Sequence, residues 1–365
     1  MNLSLKDKEW KEFLFPEIFL IKGGFYNKKP KSSQEGTIPF LGATASNNGI
    51  TKFYKLSEIE NGSKLGFGKN DPIESKIFKG NCIAVTNNGS VGYAYYQTCD
   101  FTCSHDINPL YLKKHHLNLY IAYFLIAAIE KQKVCFEYAR KWRPIRMKKS
   151  KILLPVTNEG EPDYNFMEQY IRQKERVKSD SYISFIQKRL SKLNNTSIIP
   201  LSEKEWGEFF IEDVAKIQSG ERLTKADMVK GNIPFVGATD SNNGVTEYVS
   251  NINSSVDRNI LGVNYNGSVV ENFYHPYKAV FSDDVKRLSL KRHIGNKYLY
   301  LFLKVIILQQ KSKYQYGYKF NGQRMIRQKI MLPIDSKGNP DYEYMEQYMK
   351  NIEYTKLKTY IDYKN

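Results

Sequence analysis

The nine residues Pro162-Asp163-Tyr164-Asn165-Phe166-Met167-Glu168-Gln169-Tyr170 return as Pro340-Asp341-Tyr342-Glu343-Tyr344-Met345-Glu346-Gln347-Tyr348, identical at seven of the nine positions. Each copy opens a run without Gly or Pro. An aspartate directly after proline and ahead of such a run is a helix N-cap signal, because its carboxylate can accept the unpaired N–H groups of the first turn. About 30 residues of helix would reach roughly 45 Å. Ile183, Ile186, Leu190 and Leu193, spaced 3, 4, 3, and Met345, Met349 and Ile352, spaced 4, 3, predict a short coiled-coil-like seam with the two helices antiparallel. The competing reading lays each helix on its own domain.

Everything upstream of each helix is also doubled. Leu5-Lys6-Asp7-Lys8-Glu9-Trp10 answers Leu201-Ser202-Glu203-Lys204-Glu205-Trp206, and Ala43-Thr44-Ala45-Ser46-Asn47-Asn48-Gly49 answers Ala238-Thr239-Asp240-Ser241-Asn242-Asn243-Gly244. Asn88-Gly89-Ser90-Val91 answers Asn266-Gly267-Ser268-Val269, and from there an offset of 178 holds to the second helix. The offset at the first turn is 195, so the first copy carries 17 extra residues around Phe53 to Gly80, read as loops. The Asn-Gly pairs predict tight turns between strands, since both residues tolerate positive φ.

Aromatic and β-branched residues dominate up to Leu112 and Leu290. Leu117–Glu130 and Lys297–Gln310 then show helical spacing. The fold class is therefore α+β, a tandem duplication of a mostly β domain with a long helix after each copy. The boundaries fall at 1–160 for the first domain, 161–196 for its helix, 197–338 for the second domain and 339–365 for the last helix.

The chain has 365 residues, and 55 Lys+Arg against 38 Asp+Glu leave a formal charge of +17. That excess favours a polyanionic partner, with nucleic acid foremost. No apolar run is long enough to span a bilayer and Met1–Lys8 lacks the apolar core of a signal peptide, which predicts a cytoplasmic protein without membrane contact. Cys82, Cys99, Cys103 and Cys135 form no zinc-knuckle pattern and read as buried thiols.

The charge concentrates in residues 131–151, where Lys131, Lys133, Arg140, Lys141, Arg143, Arg146, Lys148, Lys149 and Lys151 face one acid, Glu137, with Tyr138 and Trp142 interleaved. The second copy has Lys311, Lys313, Lys319, Arg324, Arg327 and Lys329 with Tyr314, Tyr316 and Tyr318, and five basic positions coincide in register. A cationic stripe with aromatics suits phosphate tracking, and Arg143 and its counterpart Asn321 are side chains that can pair with base edges. The Asn-Gly turns offer donor and acceptor together. The candidate DNA-binding set is Asn47, Asn48, Asn88, Ser90, Lys133, Tyr138, Arg140, Lys141, Arg143 and Arg146 in the first copy. In the second it is Asn242, Asn243, Asn266, Ser268, Lys311, Tyr316, Lys319, Asn321 and Arg324. If the copies read different sequences, their readers lie where they diverge, as in 22–36 against 218–231, the insertion, and 139–147 against 317–325.

Catalysis finds little support. No phosphate-binding loop or HExxH motif is present, Ser104-His105-Asp106 becomes Ser282-Asp283-Asp284, and His115-His116 is read as having no copy in the second half. No catalytic or metal-ligating residue is assigned. The alternatives are a stand-alone nuclease, which would need metal-bound carboxylates, and a duplicated glycan- or protein-binding module suggested by the 14% aromatic content.

The entry Glu205-Trp206-Gly207-Glu208-Phe209, the Ile-Pro-Phe…Asn-Asn-Gly element, the Asn-Gly-Ser-Val turn, the Leu-Pro-Val/Ile exits at 154–156 and 332–334, and the Asp-Tyr-x-x-Met-Glu helix starts together resemble the specificity (S) subunits of restriction-modification systems, type I or type IIB-like. The resemblance spans nearly the whole chain, twice. It implies a non-catalytic subunit in which two target recognition domains grip the halves of a split site on double-stranded DNA, held apart by paired helices. It further implies docking to DNA methyltransferase (M) subunits, with a restriction (R) subunit as a further partner. No cofactor is expected in this chain, and S-adenosylmethionine is expected on the methyltransferase.

Overall fold

The computed structural model describes residues 3–33, 35–68, 71–136, 140–315 and 317–364. The chain divides into two compact units, Met1–Ser181 and Tyr182–Asn365, the division falling inside the helix Tyr164–Leu190.

Each unit holds the same three sheets. In the first unit Trp10–Leu14 pairs antiparallel with Lys151–Pro155, a four-stranded antiparallel sheet runs in the order Phe19–Ile21, Ile107–Leu112, Cys82–Thr86, Ala94–Gln97, and Ile38–Leu41 lies between Ile50–Tyr54 and the parallel Thr102–Cys103. The second unit repeats this with Trp206–Phe210 on Lys329–Pro333, then Ala215–Ser219, Val285–Leu290, Ile260–Asn264 and Asn272–His275, then Lys230–Val236 between Val245–Val249 and Val280–Phe281. The α+β duplication expected from the sequence is what the structure has.

Burial explains the strand sequences. Cys82–Thr86 is buried at every position, which requires a continuous apolar run rather than alternation. Its side chains still alternate between two cores. Ile83 and Val85 enter the core beneath the helix Leu119–Glu130, whereas Cys82 and Ala84 enter a second core with Phe40, Tyr54 and Phe101. Cys99 and Cys135, by contrast, are exposed, correcting the expectation that all four thiols are buried.

The insertion is not all loop. It carries the short helices Leu56–Glu60 and Ile73–Lys76. Ile59 is fully buried, and so is Lys76, whose ammonium donates to the Ile59 and Glu60 carbonyls at 3.1 and 2.8 Å. A cation placed on the last carbonyls of a helix satisfies groups that have no partner within it.

Both long helices start as the sequence indicates. Asp163 Oδ1 accepts from the Phe166 N–H at 2.8 Å, and Asp341 Oδ1 from the Tyr344 N–H at 2.9 Å. Lys8 and Lys204 then clamp the same carboxylates at 2.6 and 2.8 Å. Met167 and Met345 are fully buried in the cores of their own units, so Met345 belongs to a domain core and not to the expected seam. Helix pairing occurs further along. In the second unit the Tyr182 ring packs edge-on against Tyr360, Arg189 Nε donates to Glu353 Oε1 at 2.8 Å, and Ile186 between them is fully buried. The contacts run 182 to 360 and 189 to 353, hence antiparallel.

Glu353 takes hydrogen bonds from Arg189, Lys297 and Tyr298, which against the cost of its burial hold its carboxyl down at about 2. A depressed carboxylate stabilises the fold above its ordinary pKa and loses that contribution as pH falls toward the folded value. Glu353→Gln is therefore expected to lower stability by on the order of 1–2 kcal/mol at neutral pH, after solvent screening. The deficit should shrink steadily below the ordinary carboxylate range and vanish near pH 2, as read by denaturant midpoints against pH.

Candidate nucleic-acid interface

Four loops meet in each unit. In the first, Gly42–Asn48 lies against Gly89, where an added Cβ would stand 3.2 Å from Ala43 Cβ, and Thr44 O accepts from Tyr95 Oη at 2.8 Å. Asn87 Nδ2 donates to His105 O at 3.1 Å, and Asn87 O accepts from the Trp142 N–H at 3.0 Å. These bonds draw together 42–48, 87–91, 104–106 and 140–146. In the second unit Ala238 O accepts from the Ser268 N–H at 3.2 Å, Asn264 Nδ2 donates to Thr239 O at 2.9 Å, and the Tyr265 N–H donates to Asp284 O at 3.1 Å.

The Asn-Gly elements are more elaborate than two-residue hairpins. Asn47, Asn48 and Gly49 take φ of 52°, 51° and 79° in succession, as do Asn242, Asn243 and Gly244 at 49°, 55° and 76°. Asparagine is the non-glycine residue that best tolerates this region. Asn48 Nδ2 donates to Tyr96 O at 3.1 Å, and Asn243 Nδ2 to Tyr277 Oη at 2.9 Å. Their amides lock the turn, while Asn47 and Asn242 are exposed and keep free amides among the described residues.

The second turn corrects the base-reading expectation further. Asn88 Nδ2 donates to Asp106 Oδ1 and Asn266 Nδ2 to Asp284 Oδ1, both at 2.9 Å. The side-chain oxygens of Asn88 and Asn266 are themselves buried away from water. These asparagines cannot present donor and acceptor to a base, and they brace the turn from which Ser90 and Ser268 project. Asn321 is likewise a helix cap. Its Oδ1 accepts from the Arg324 N–H at 3.0 Å at the start of Gly322–Ile326.

The basic stripe is folded in three pieces, a 3-10 turn Lys131–Cys135, the short helix Pro144–Met147 and the strand from Lys151. Lys133 is paired with Glu130 at 2.8 Å and sits 3.5 Å over the Tyr93 ring, and Lys311 is paired with Glu271. Lys151 and Lys329 make cross-strand pairs with Glu12 and Glu208. Trp142 is fully buried and Tyr314 nearly so, which removes both as stacking platforms. Tyr138 and Tyr316 lie outside the described residues. Arg146 and Arg324 keep most of their donors. Each spends one N–H closing its own loop, on Lys141 O at 2.7 Å and Lys319 O at 2.8 Å. Arg143 Nη1 stands 3.5 Å from Asp106 Oδ1. Arg140, Lys148, Lys149 and Arg327 are exposed with no hydrogen-bonded side-chain partner among the described residues.

The cluster thus has turn braces that recur in both copies, from Asn88 and Asn266 to the aspartates and from Arg146 and Arg324 to their own loops, and a rim of cations without an acid partner among the described residues. A model of the type I restriction modification DNA specificity domain matches residues 7–181 and again 203–361. The chain belongs to this family. The specificity subunit S.BcgI of a type II restriction enzyme from Heyndrickxia coagulans is 41% identical over 358 residues, 97% of this chain and 96% of that protein. The S subunit of a type I restriction-modification system from M. genitalium has a TM-score of 0.51 at 16% identity, covering 99% of this chain and 94% of that one, so the fold is shared. No helix among the described residues is long and apolar enough to cross a membrane.

In this specificity-domain pair the residues that sequence reading missed are the acids behind the turns. Ser104 Oγ accepts from the Asp106 N–H at 3.3 Å and Ser282 Oγ from the Asp284 N–H at 3.2 Å, so Ser-x-Asp is a turn brace in both copies. The offset of 178 pairing Asp106 with Asp284 was the available signal. The same offset pairs His115 with His293, which does give the first histidine a copy. Each ring lies on the tyrosine that opens a long helix, His115 on Tyr164 at 4.7 Å and His293 on Tyr342 at 5.1 Å.

Proposed function

We propose that this chain is the non-catalytic specificity subunit of a restriction-modification complex, reading a bipartite duplex target with one recognition domain on each half. The repeated four-loop cluster with its unneutralised cations carries the reading, since phosphate contacts position a protein and the loops beside them reach base edges. Methyltransferase subunits are the proposed partners and carry the S-adenosylmethionine, with a restriction subunit completing the assembly on host DNA in the cytoplasm. Likeness over the full length to the subunit of a type II enzyme favours the type IIB-like arrangement.

The complex obtained by co-expressing this chain with its genomic neighbours should bind duplex DNA with strong salt dependence. Arg146→Gln or Arg324→Gln is expected to weaken binding about equally on all sequences and to reduce the salt slope by roughly one unit. Affinity that stays constant between about 50 and about 200 mM salt would refute the electrostatic reading.

A further inference from the structure

The two clusters share their scaffold but take a cation from different places. In the first unit Asn87 and Asn108 form a buried neutral pair, Nδ2 to Oδ1 at 2.9 Å, and the cation near Asp106 is Arg143, from the loop before Pro144–Met147. At the same offset of 178, Asn87 becomes Tyr265, Asn108 becomes Lys286 and Arg143 becomes Asn321. The arginine is lost to a neutral helix cap, and a lysine appears on the neighbouring strand. Position 283, His105 in the other copy, is also changed to aspartate.

Lys286 is the second residue of Val285–Leu290, directly after the loop that carries Asp284. Its Nζ donates to Ser219 Oγ at 2.7 Å and stands 4.7 Å from the Tyr265 ring centroid. It makes no ion pair among the described residues, so two ammonium donors are left. Across from it is Gly322, where an added Cβ would stand 3.9 Å from Lys286 Cε; the first copy has Pro144 there. Burial lowers the Lys286 pKa against the opposing pull of Asp283 and Asp284. A partly desolvated ammonium with spare donors gains more from a new acceptor than a fully hydrated one.

We propose that Lys286 is the base-reading cation of the second recognition domain, serving from its strand the role that Arg143 serves from a loop in the first, with the O6/N7 edge of a guanine as its ligand. The inference rests on the DNA-reading function proposed above and adds the residue and the base. Duplication explains the geometry. Moving a cation's point of attachment changes which base pair it meets without rebuilding the loops.

The test is to co-express the full-length chain, wild type or variant, with its genomic neighbours and map methylated positions in host DNA. Lys286→Met, which keeps the apolar stem over Tyr265, should relax one G·C position in one half-site, with a roughly ten- to hundredfold loss of discrimination there. The other half-site should be unchanged. Lys286→Gln should shift the same position toward adenine, which glutamine pairs bidentately, and it supplies a readout should the Met variant fold poorly. Unchanged half-sites, an evenly weakened signal on the same sequence, or a change in both halves would overturn the assignment while leaving the specificity function standing. Absence of sequence-specific methylation with the wild-type chain would instead overturn the function, and this inference with it.

Discussion

Trp142→Ala is expected to destabilise the first unit by about 3–5 kcal/mol, the cost of emptying a fully enclosed indole site. The Trp142 ring is fully buried, packs edge-on against Phe15 at 5.3 Å and stacks on Phe136 at 4.8 Å, and its Nε1 donates to Ser150 Oγ at 2.9 Å. The equivalent pair in the second unit is Tyr314 with Phe320, 4.5 Å apart, with Phe320 also fully buried. Trp142→Phe imports the solution used in the other copy and should cost much less, about 1–2 kcal/mol. Calorimetry on the full chain distinguishes the two variants. A Trp142→Ala chain that melts normally yet binds DNA poorly would make the indole a stacking platform and contradict its burial.

Arg287→Ala should cost the second unit about 3 kcal/mol, at the low end for breaking a buried ion pair because Asp257 keeps some contact with water. The guanidinium side chain is 7% exposed, with Nη1 on Asp257 Oδ2 at 3.1 Å and Nη2 on Ser219 O at 2.8 Å. Its loss strands the aspartate and frees Ser219, whose hydroxyl holds Lys286. Both stability and specificity of the second domain should therefore suffer. Asp257→Asn, which keeps the size and an acceptor, should be milder in a denaturant titration. Equal midpoints for Arg287→Ala and wild type would show that the pair adds nothing net. The first copy has Pro109 at this position, so no such effect can arise there.

The register of the duplication made much of the scaffold legible. Identical residues at 163 and 341, 88 and 266, and 106 and 284 make identical hydrogen bonds. Local chemistry suffices for such features, because a helix cap or a left-handed turn involves residues a few positions apart. The candidate site was only half legible. Arg146 and Arg324 remain available, but Trp142, Asn88, Asn266 and Asn321 turn inward or bind their own backbone. A polar or aromatic side chain reads the same in sequence whether it faces a ligand or braces a loop. Burial and partners across the fold settle that question.

Sequence alone determined that this chain is one α+β unit built twice, where its helices begin, and that its cationic stretch is repeated in register, all properties of periodicity and short-range bonding. Only the tertiary structure decided which cations stay unpaired among the described residues and that the lysine at 286 lies on Ser219 and the Tyr265 ring with no carboxylate partner there. Those outcomes depend on contacts between segments far apart in the chain, and a side chain's charge is worth one thing beside a carboxylate and another when half-buried with donors to spare.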